Sequence, residues 1–133
     1  MSRSATDVWL IVEDSDDDFF LFRRACGQAF GSQLTLYRAL DGFAAMEFLS
    51  ARTEPLGLIL CDSTMAQMDG LEFLRWVRSQ ESFRHTRLVM LSNSGQQRVI
   101  ENALSSGADD YQVKPSEFEQ LVTLVKRLGV GVT

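Results

Sequence analysis

The chain has 133 residues, of which 45% are hydrophobic and 23% charged, a composition typical of one globular domain. Its net charge of −5 disfavours binding to nucleic acid, because nucleic-acid phosphates repel an acidic protein. No apolar run approaches the ~20 residues of a membrane span, and the two cysteines lack the spacing of a metal site or a disulfide framework. We therefore expect a cytoplasmic protein that binds neither membranes nor nucleic acid.

Five short apolar segments alternate with segments whose apolar residues recur at helical spacing. The predicted strands cover 8–12, 34–38, 58–61, 87–91 and 110–113. The helices are predicted to begin near the Ser15–Asp18 capping signal, Asp41, Gly70, Ser94 and Pro115. Five βα units of this kind indicate a doubly wound α/β fold, with a parallel sheet and five helices on its two faces.

The second predicted strand differs from the others because it ends in Arg38, Ala39 and Leu40, without a matching acid or hydroxyl. An outer position for this strand fits a flavodoxin-like sheet in the order 2-1-3-4-5, whose central strands carry the ligand site at their carboxyl ends. The units occupy 7–129. We expect one domain over that range, with short tails at 1–6 and 130–133.

Polar side chains follow the other strands directly. Glu13 and Asp14 follow the first strand, Asp62 the third, Ser92 the fourth and Lys114 the fifth. Three carboxylates at one edge of the sheet require a cation, and hard oxygen ligands suit Mg²⁺ (or Mn²⁺). An acid cluster, a divalent cation and a lysine predict a site for a phosphoryl group, with Asp62 as the nucleophile.

Four segments resemble the signature blocks of bacterial response-regulator receiver domains. They are 12–14, 60–70, 91–92 and 107–115, in the family's order and each at a predicted strand end. The resemblance covers essentially the whole chain. It implies that the protein is a stand-alone receiver that signals by protein contact and is not an enzyme acting on other molecules.

The resemblance also implies roles for individual residues. Asp62 would accept a phosphoryl group from a sensor histidine kinase or a phosphotransfer protein. Glu13, Asp14, Asp62 and the backbone carbonyl of Thr64 would hold Mg²⁺. Lys114 would contact a phosphoryl oxygen.

A two-state switch is part of the same resemblance. Ser92 would move towards the phosphoryl group and Tyr111 would turn inward, so that a local change of charge alters a surface. The Lys114–Pro115 peptide bond would be cis, which is the minority state of such bonds.

The expected partners come from the family as well. The sequence of residues 12–19 is similar to that of small receivers that serve phytochrome-type kinases. A homodimer through the face of the fourth helix, fifth strand and fifth helix is a further hypothesis. Leu124 and Val130 are expected to add apolar character to that face.

Two positions depart from the family's usual pattern, and two others bear on the lifetime of the phosphate. Ala66 stands where proline is common, which predicts a less rigid loop after Asp62. Asn93 is larger than the usual residue and is expected to narrow access to the phosphoryl group. Thr64 and Ser94 occupy positions whose side chains tune hydrolysis of the phosphate.

Two other functions share part of the pattern. A Mg²⁺-dependent aspartyl phosphatase of the haloacid-dehalogenase type needs a second acid two residues after its nucleophile, where this chain has Thr64. A flavodoxin-like FMN-binding protein needs a Ser/Thr/Gly-rich phosphate loop after the first strand, whereas 13–18 is acidic and would repel a phosphate.

The remaining polar and aromatic residues are expected to be structural. The acids at 16–18 are predicted to stabilise the first turn of a helix. His85 is expected on the surface and Cys61 in the strand core. Phe73 and Trp76 are predicted to point away from the core, under a loop or on a partner surface.

Overall fold

The computed structural model describes residues 7–63 and 70–129. Within these ranges each of five strands is followed by an α-helix. The strands are β1 (Val8–Val12), β2 (Thr35–Ala39), β3 (Leu58–Asp62), β4 (Leu88–Ser92) and β5 (Asp110–Val113). The helices are α1 (Asp16–Phe30), α2 (Gly42–Ser50), α3 (Gly70–Ser79), α4 (Gln97–Ser105) and α5 (Phe118–Leu128).

The strands form one sheet in the order β2-β1-β3-β4-β5, with parallel pairing throughout the described residues. The predicted fold and strand order are confirmed. Strands β1, β3 and β4 are apolar along most of their length and almost fully buried, as expected for strands covered on both faces. Strand β2 lies at an edge and is only partly buried.

Neighbouring strand residues face opposite layers of helices, because side chains alternate along a strand. Leu10 packs in a core with residues of α2, α3 and α4, whereas Trp9 packs in a second core with residues of α1 and α5. The sheet therefore lies between two helical layers. Its carboxyl-end edge is left open between them for polar side chains.

The first helix begins where the capping signal predicts. The Ser15 hydroxyl accepts a hydrogen bond from the backbone N–H of Asp18 at 3.2 Å. The acids at 16–18 occupy the first turn, where they interact favourably with the helix dipole. Gly31 ends the helix with φ 60°, a conformation that favours glycine.

The fourth helix begins later than the prediction at Ser94. It starts at Gln97, because the Ser94 hydroxyl accepts a hydrogen bond from the N–H of Gln96 at 3.3 Å and forms a turn before the helix. Ser94 therefore forms a turn before the helix and does not cap it. The capping box predicted at Ser94 is wrong.

The fifth helix begins at Phe118 and not at Pro115. Glu117 is extended, with ψ 142°, so the chain crosses the end of the sheet before it turns into the helix. The Lys114–Pro115 bond is trans, which differs from the cis form implied by the resemblance. Trans is the more common state of such bonds.

Two apolar residues lie in the core, contrary to expectation. Phe73 is fully buried in the layer of α2, α3 and α4, and the half-buried Trp76 stacks on it at 6.4 Å between ring centroids. Leu124 is buried with α1 and α5. Both residues therefore belong to the buried faces of their helices, α3 and α5. Val130 lies outside the described residues.

Other expectations are confirmed. Cys61 is fully buried in β3 and His85 is exposed. The thiol of Cys26 is also buried, and burial raises its pKa to about 12, which makes it unreactive. Within 7–63 and 70–129, none of the helices is long and apolar enough to cross a lipid bilayer.

Arg78 joins several loops at the amino-end edge of the sheet. Its guanidinium donates hydrogen bonds to the backbone carbonyls of Phe83, Arg84, Thr86 and Gly107. It also pairs with Asp109 at 2.9 Å, and the same Asp109 oxygen accepts the N–H of Leu88 at 2.8 Å. We call Arg78 and these acceptors the Arg78 group. It holds the starts of β4 and β5 together.

Candidate functional site

Three carboxylates meet at the carboxyl ends of β1 and β3. Glu13 and Asp14 directly follow β1, and Asp62 is the last residue of β3. Each offers an oxygen atom, and these oxygens lie within 4.8 Å of one another. The grouping predicted from the strand ends is therefore present, and we call these three residues the acid cluster.

Lys114 directly follows β5 and reaches into the acid cluster. Its Nζ lies 2.9 Å from Glu13 Oε1, 2.9 Å from Asp18 Oδ2 and 3.3 Å from Asp62 Oδ2. Its backbone N–H donates to the carbonyl of Ser92 at 2.7 Å. The last contact fixes the lysine against β4, so that its side chain spans the open edge of the sheet.

Burial and charge act together on the two buried partners. Burial of Glu13 and the charge of Asp62 raise the pKa of the Glu13 carboxyl to about 7, although the hydrogen bond from Lys114 opposes the shift. Burial alone would lower the pKa of Lys114. The hydrogen bonds to Asp18 and Glu13, together with the charges of Asp62 and Glu13, outweigh burial and raise that pKa above its usual value.

The charge balance of the site is negative, because a single lysine contacts three carboxylates and Asp14 lies beside them. Mg²⁺ prefers hard oxygen ligands and usually keeps several waters, so a few carboxylates are enough to bind it. The donor set of the acid cluster therefore fits a divalent cation. Binding would also favour the ionised form of Glu13, whose pKa is raised in the protein alone.

Backbone contacts hold Glu13 in place. Its N–H donates to the carbonyl of Ala39 at 3.0 Å, and its own carbonyl accepts from Arg38 Nε at 3.1 Å. Its second carboxylate oxygen accepts the N–H of Ser15 at 3.2 Å. Arg38 also pairs with Asp16 at 2.8 Å. The carboxylate that follows β1 is therefore anchored to the neighbouring edge strand.

The contact between Asp18 and Lys114 is not predicted by the sequence pattern. Asp18 stabilises the helix N-terminus with the other acids of 16–18, as predicted, and also binds Lys114. Its position on the first turn of α1, just after the residues that follow β1, is the signal that could have revealed it. A helix that starts at the carboxyl end of a strand places its first turn beside the ligand site.

Ser92 ends β4 and its side chain is buried. Its hydroxyl oxygen accepts hydrogen bonds from the Ser63 hydroxyl at 2.6 Å and from the N–H of Ser94 at 3.2 Å. Ser63 directly follows Asp62, and no sequence pattern marks it as a site residue. Only the pairing of β3 with β4 brings it beside Ser92.

Tyr111 lies in β5 and is 8% exposed, with its hydroxyl donating to the carbonyl of Ser94 at 2.7 Å. The ring is thus buried beside the segment that follows β4. Asn93 lines a cavity of about 110 Å³ together with Glu13, Asp18 and Lys114, so its side chain is close to the site. Thr64 and Ala66 lie outside the described residues. The roles predicted for all these residues stay predictions.

The model of the response regulator receiver domain family matches residues 9–126. The chain belongs to this family. The phosphoacceptor function of receiver domains in two-component signalling is therefore favoured over an aspartyl phosphatase and over an FMN-binding protein. Receiver domains pair with histidine kinases and bind a divalent metal. The acid cluster beside Lys114 agrees with the binding of a divalent metal.

Curated receiver proteins align along most of the chain. A probable chemotaxis protein CheY of Rhizobium etli is 27% identical over 117 residues, which cover 88% of this chain and 88% of that protein. The transcriptional regulatory protein ZraR of Klebsiella oxytoca is 33% identical over 127 residues, which cover 95% of this chain but only 27% of that protein. The chain thus spans about a quarter of the length of ZraR.

Solved receiver structures share the fold. The phosphorylated cyanobacterial phytochrome response regulator RcpA superposes with a TM-score of 0.85 at 24% identity, covering 95% of this chain and 93% of that one. A response regulator in red light signaling of R. palustris gives a TM-score of 0.83 at 26% identity, covering 91% and 90%. The arrangement of five strands and five helices is therefore that of known receiver domains.

Proposed function

We propose that this receiver domain accepts a phosphoryl group on Asp62 and signals through a protein contact that depends on phosphorylation. The observation that carries the proposal is the position of Asp62 at the end of the central strand β3. There it lies beside Glu13 and Asp14 in the acid cluster, and Lys114 Nζ contacts both Glu13 at 2.9 Å and Asp62 at 3.3 Å. Residues 7–129 are the range proposed to act as this unit.

The phosphoryl donor is proposed to be a phosphohistidine of a kinase or of a phosphotransfer protein. An Asp62 carboxylate oxygen attacks phosphorus, the new O–P bond forms, and the P–N bond to the imidazole breaks. The imidazole leaves with the electron pair of that bond and takes up a proton. Lys114 is within reach of the oxygens that gain charge and neutralises part of it.

The metal is proposed to be Mg²⁺, with Mn²⁺ as a substitute, and the response regulator Rcp1 is known in a Mn²⁺-bound form. Glu13, Asp14 and Asp62 would hold it with their side chains. The resemblance adds the backbone carbonyl of Thr64. When bound, the cation supplies positive charge that lowers the repulsion between the acid cluster and an incoming phosphoryl group.

The output is proposed to be a signal and not catalysis on another molecule, so that the domain catalyses only its own phosphorylation and dephosphorylation. A phytochrome-type sensor histidine kinase in the cytoplasm is the proposed partner. Support comes from the likeness to RcpA and to the red-light regulator of R. palustris. Incubation with purified kinases of several sensor classes would test it, and preferential transfer from another class would contradict it.

A homodimer through α4, β5 and α5 is proposed as the state that changes with phosphorylation. Leu104 on α4 and Val113 on β5 are 44% and 45% exposed, and they supply apolar surface on this face. Light scattering with and without beryllofluoride tests this proposal. An unchanged monomer mass in both conditions would contradict it.

The first experiment asks whether Asp62 is the acceptor. The protein is incubated with Mg²⁺ and acetyl phosphate, and the phosphoryl adduct is measured by intact-mass spectrometry. We expect Asp62→Asn to abolish the adduct because the amide is a poor nucleophile. Asp17→Asn makes the same chemical change at an exposed acid of α1 and should leave the adduct unchanged. Equal labelling of Asp62→Asn and the wild type would contradict the proposal.

A further inference from the structure

Two serine hydroxyls meet next to Asp62, one directly after β3 and the other at the end of β4. Ser63 Oγ donates a hydrogen bond to Ser92 Oγ at 2.6 Å, and the N–H of Ser94 donates to the same oxygen at 3.2 Å. Ser92 is only 3% exposed. The switch hydroxyl is therefore held by two donors that do not belong to the acid cluster.

The two serines lie on the side of the sheet that faces α4. They line a cavity of about 310 Å³ together with Val99 of α4 and Tyr111 of β5. Asp62 occupies the preceding position of β3, where it is in register with Leu91. Cys61 packs in the core of α2, α3 and α4, and successive residues of a strand point to opposite sides, so Asp62 points to the other side of the sheet from the Ser63–Ser92 hydrogen bond.

We infer that Ser63 is a positioning residue that holds the Ser92 hydroxyl in the unphosphorylated arrangement. The inference rests on the proposed function, in which Ser92 turns towards a phosphoryl group on Asp62. Ser92 must lose the hydrogen bond from Ser63 to make that turn. The Ser63 hydroxyl therefore opposes activation, and the strength of its bond sets part of the equilibrium between the two arrangements.

Removal of the Ser63 hydroxyl should make activation easier. In Ser63→Ala the Mg²⁺-beryllofluoride concentration for half-maximal response is expected to fall about fivefold, which corresponds to one net hydrogen bond lost from the inactive state. The response is measured by isothermal titration and by fluorine NMR of the bound adduct. Ser63→Thr keeps the hydroxyl and should restore the wild-type midpoint.

Two controls separate this role from a general effect on structure. Ser79→Ala, at the carboxyl end of α3, also removes a serine that donates a 2.6 Å hydrogen bond, here to the Trp76 carbonyl, and it should not change the midpoint. In a Ser92→Ala background the partner hydroxyl is absent. Ser63→Ala should then have no further effect, because a positioning residue acts only through the residue it holds.

The outcomes distinguish the inference from the proposed function. Wild-type protein that does not bind beryllofluoride, or Asp62→Asn that binds it normally, would overturn both. Normal wild-type binding with an unchanged midpoint in Ser63→Ala would overturn only the role of Ser63. The same holds if Ser63→Thr behaves like Ser63→Ala, or if Ser63→Ala shifts the midpoint equally in the Ser92→Ala background.

Discussion

A basic side chain gathers several oxygen acceptors at each end of the sheet, but the charge balance of the two groups differs. At the amino-end edge, Arg78 donates to four backbone carbonyls and pairs with one carboxylate, Asp109. At the carboxyl-end edge, Lys114 contacts three carboxylates, and Asp14 lies beside them. The first group is close to neutral, whereas the second carries excess negative charge.

The two groups use similar side chains for different purposes because their charge balance differs. Neutral carbonyls accept hydrogen bonds from the fixed N–H donors of a guanidinium without adding charge. The Arg78 group therefore serves to hold loops together. The acid cluster keeps unbalanced charge in a partly buried place, which costs stability in the protein alone and favours the arrival of a cation. The unbalanced group of charges is therefore the candidate site of chemistry, and the balanced group is structural.

The largest effect is expected from removal of the lysine. Lys114→Met should slow phosphorylation by acetyl phosphate roughly 100-fold, because the charge that develops on the phosphoryl oxygens loses its neutralising partner. Initial rates from intact-mass spectrometry measure the effect. Lys114→Arg keeps the charge and should retain part of the rate. If Lys114→Met is phosphorylated at the wild-type rate, Lys114 has no role in the chemistry, and the two edges of the sheet do not differ in function.

Removal of the arginine should affect stability and spare the site. Arg78→Met should lower the free energy of unfolding by about 2–3 kcal/mol, since several carbonyls and Asp109 lose their donor. Urea denaturation measures this, and titration should find the Mg²⁺ affinity unchanged. The exposed Arg75→Met, on the same helix, is the matched control. If Arg78→Met lowers the free energy of Mg²⁺ binding by more than it lowers the free energy of unfolding, the structural role of Arg78 is contradicted.

The excess charge of the acid cluster should make the free energy of unfolding depend on pH. The Glu13 pKa is raised from 4.5 to about 7, so over that interval the unfolded chain releases its proton before the folded protein does. With chelator present, the stability contributed by Glu13 is therefore full below the lower value and falls as the pH rises through the upper one. Added Mg²⁺ should reduce this loss.

Urea denaturation at a series of pH values, compared between wild type and Glu13→Gln, isolates this contribution. Relative to Glu13→Gln, the wild type should lose free energy of unfolding as the pH rises from 4.5 to about 7. A difference in the free energy of unfolding that stays constant with pH would mean that the pKa of Glu13 is the same in the folded and unfolded states. The acid cluster would then carry its charge at no cost to stability.

The smallest effect is expected at Asp18, whose side chain is 43% exposed. Asp18→Asn removes one of the carboxylates that compete for Lys114, so phosphorylation of Asp62 should become about twofold faster, the size expected of a partly exposed ion pair. Asp17→Asn is the control and should have no effect. A slower rate would mean that Asp18 positions the lysine productively and does not compete for it.

Most of the fold and the acid cluster could be predicted because both follow from rules that act along the chain. Continuous apolar runs identify buried strands, and the residue after each run falls at the shared edge of the sheet. Glu13, Asp62 and Lys114 are close in the structure for that reason. The edge position of β2 followed from the same rule, since no acid or hydroxyl follows it directly.

The contacts that were missed depend on features without a local signal. Arg78 binds mainly backbone carbonyls, which every residue has. Ser63 gains its partner only through the register of β3 with β4, and Asp18 reaches Lys114 only through the phase of α1. Phe73 was placed wrongly because the width of a helix's buried stripe depends on its neighbours.

The contact between Lys114 and Glu13 joins residues that are 101 positions apart, and the contact with Asp18 joins residues 96 apart. During synthesis the acids therefore leave the ribosome long before the lysine that pairs with them. Until β5 has paired with β4, a nascent chain presents acids without their lysine. Under the proposed function, Lys114 would therefore reach Asp62 only after the last strand is in place, so phosphorylation of Asp62 would reach its full rate only in the completely folded domain.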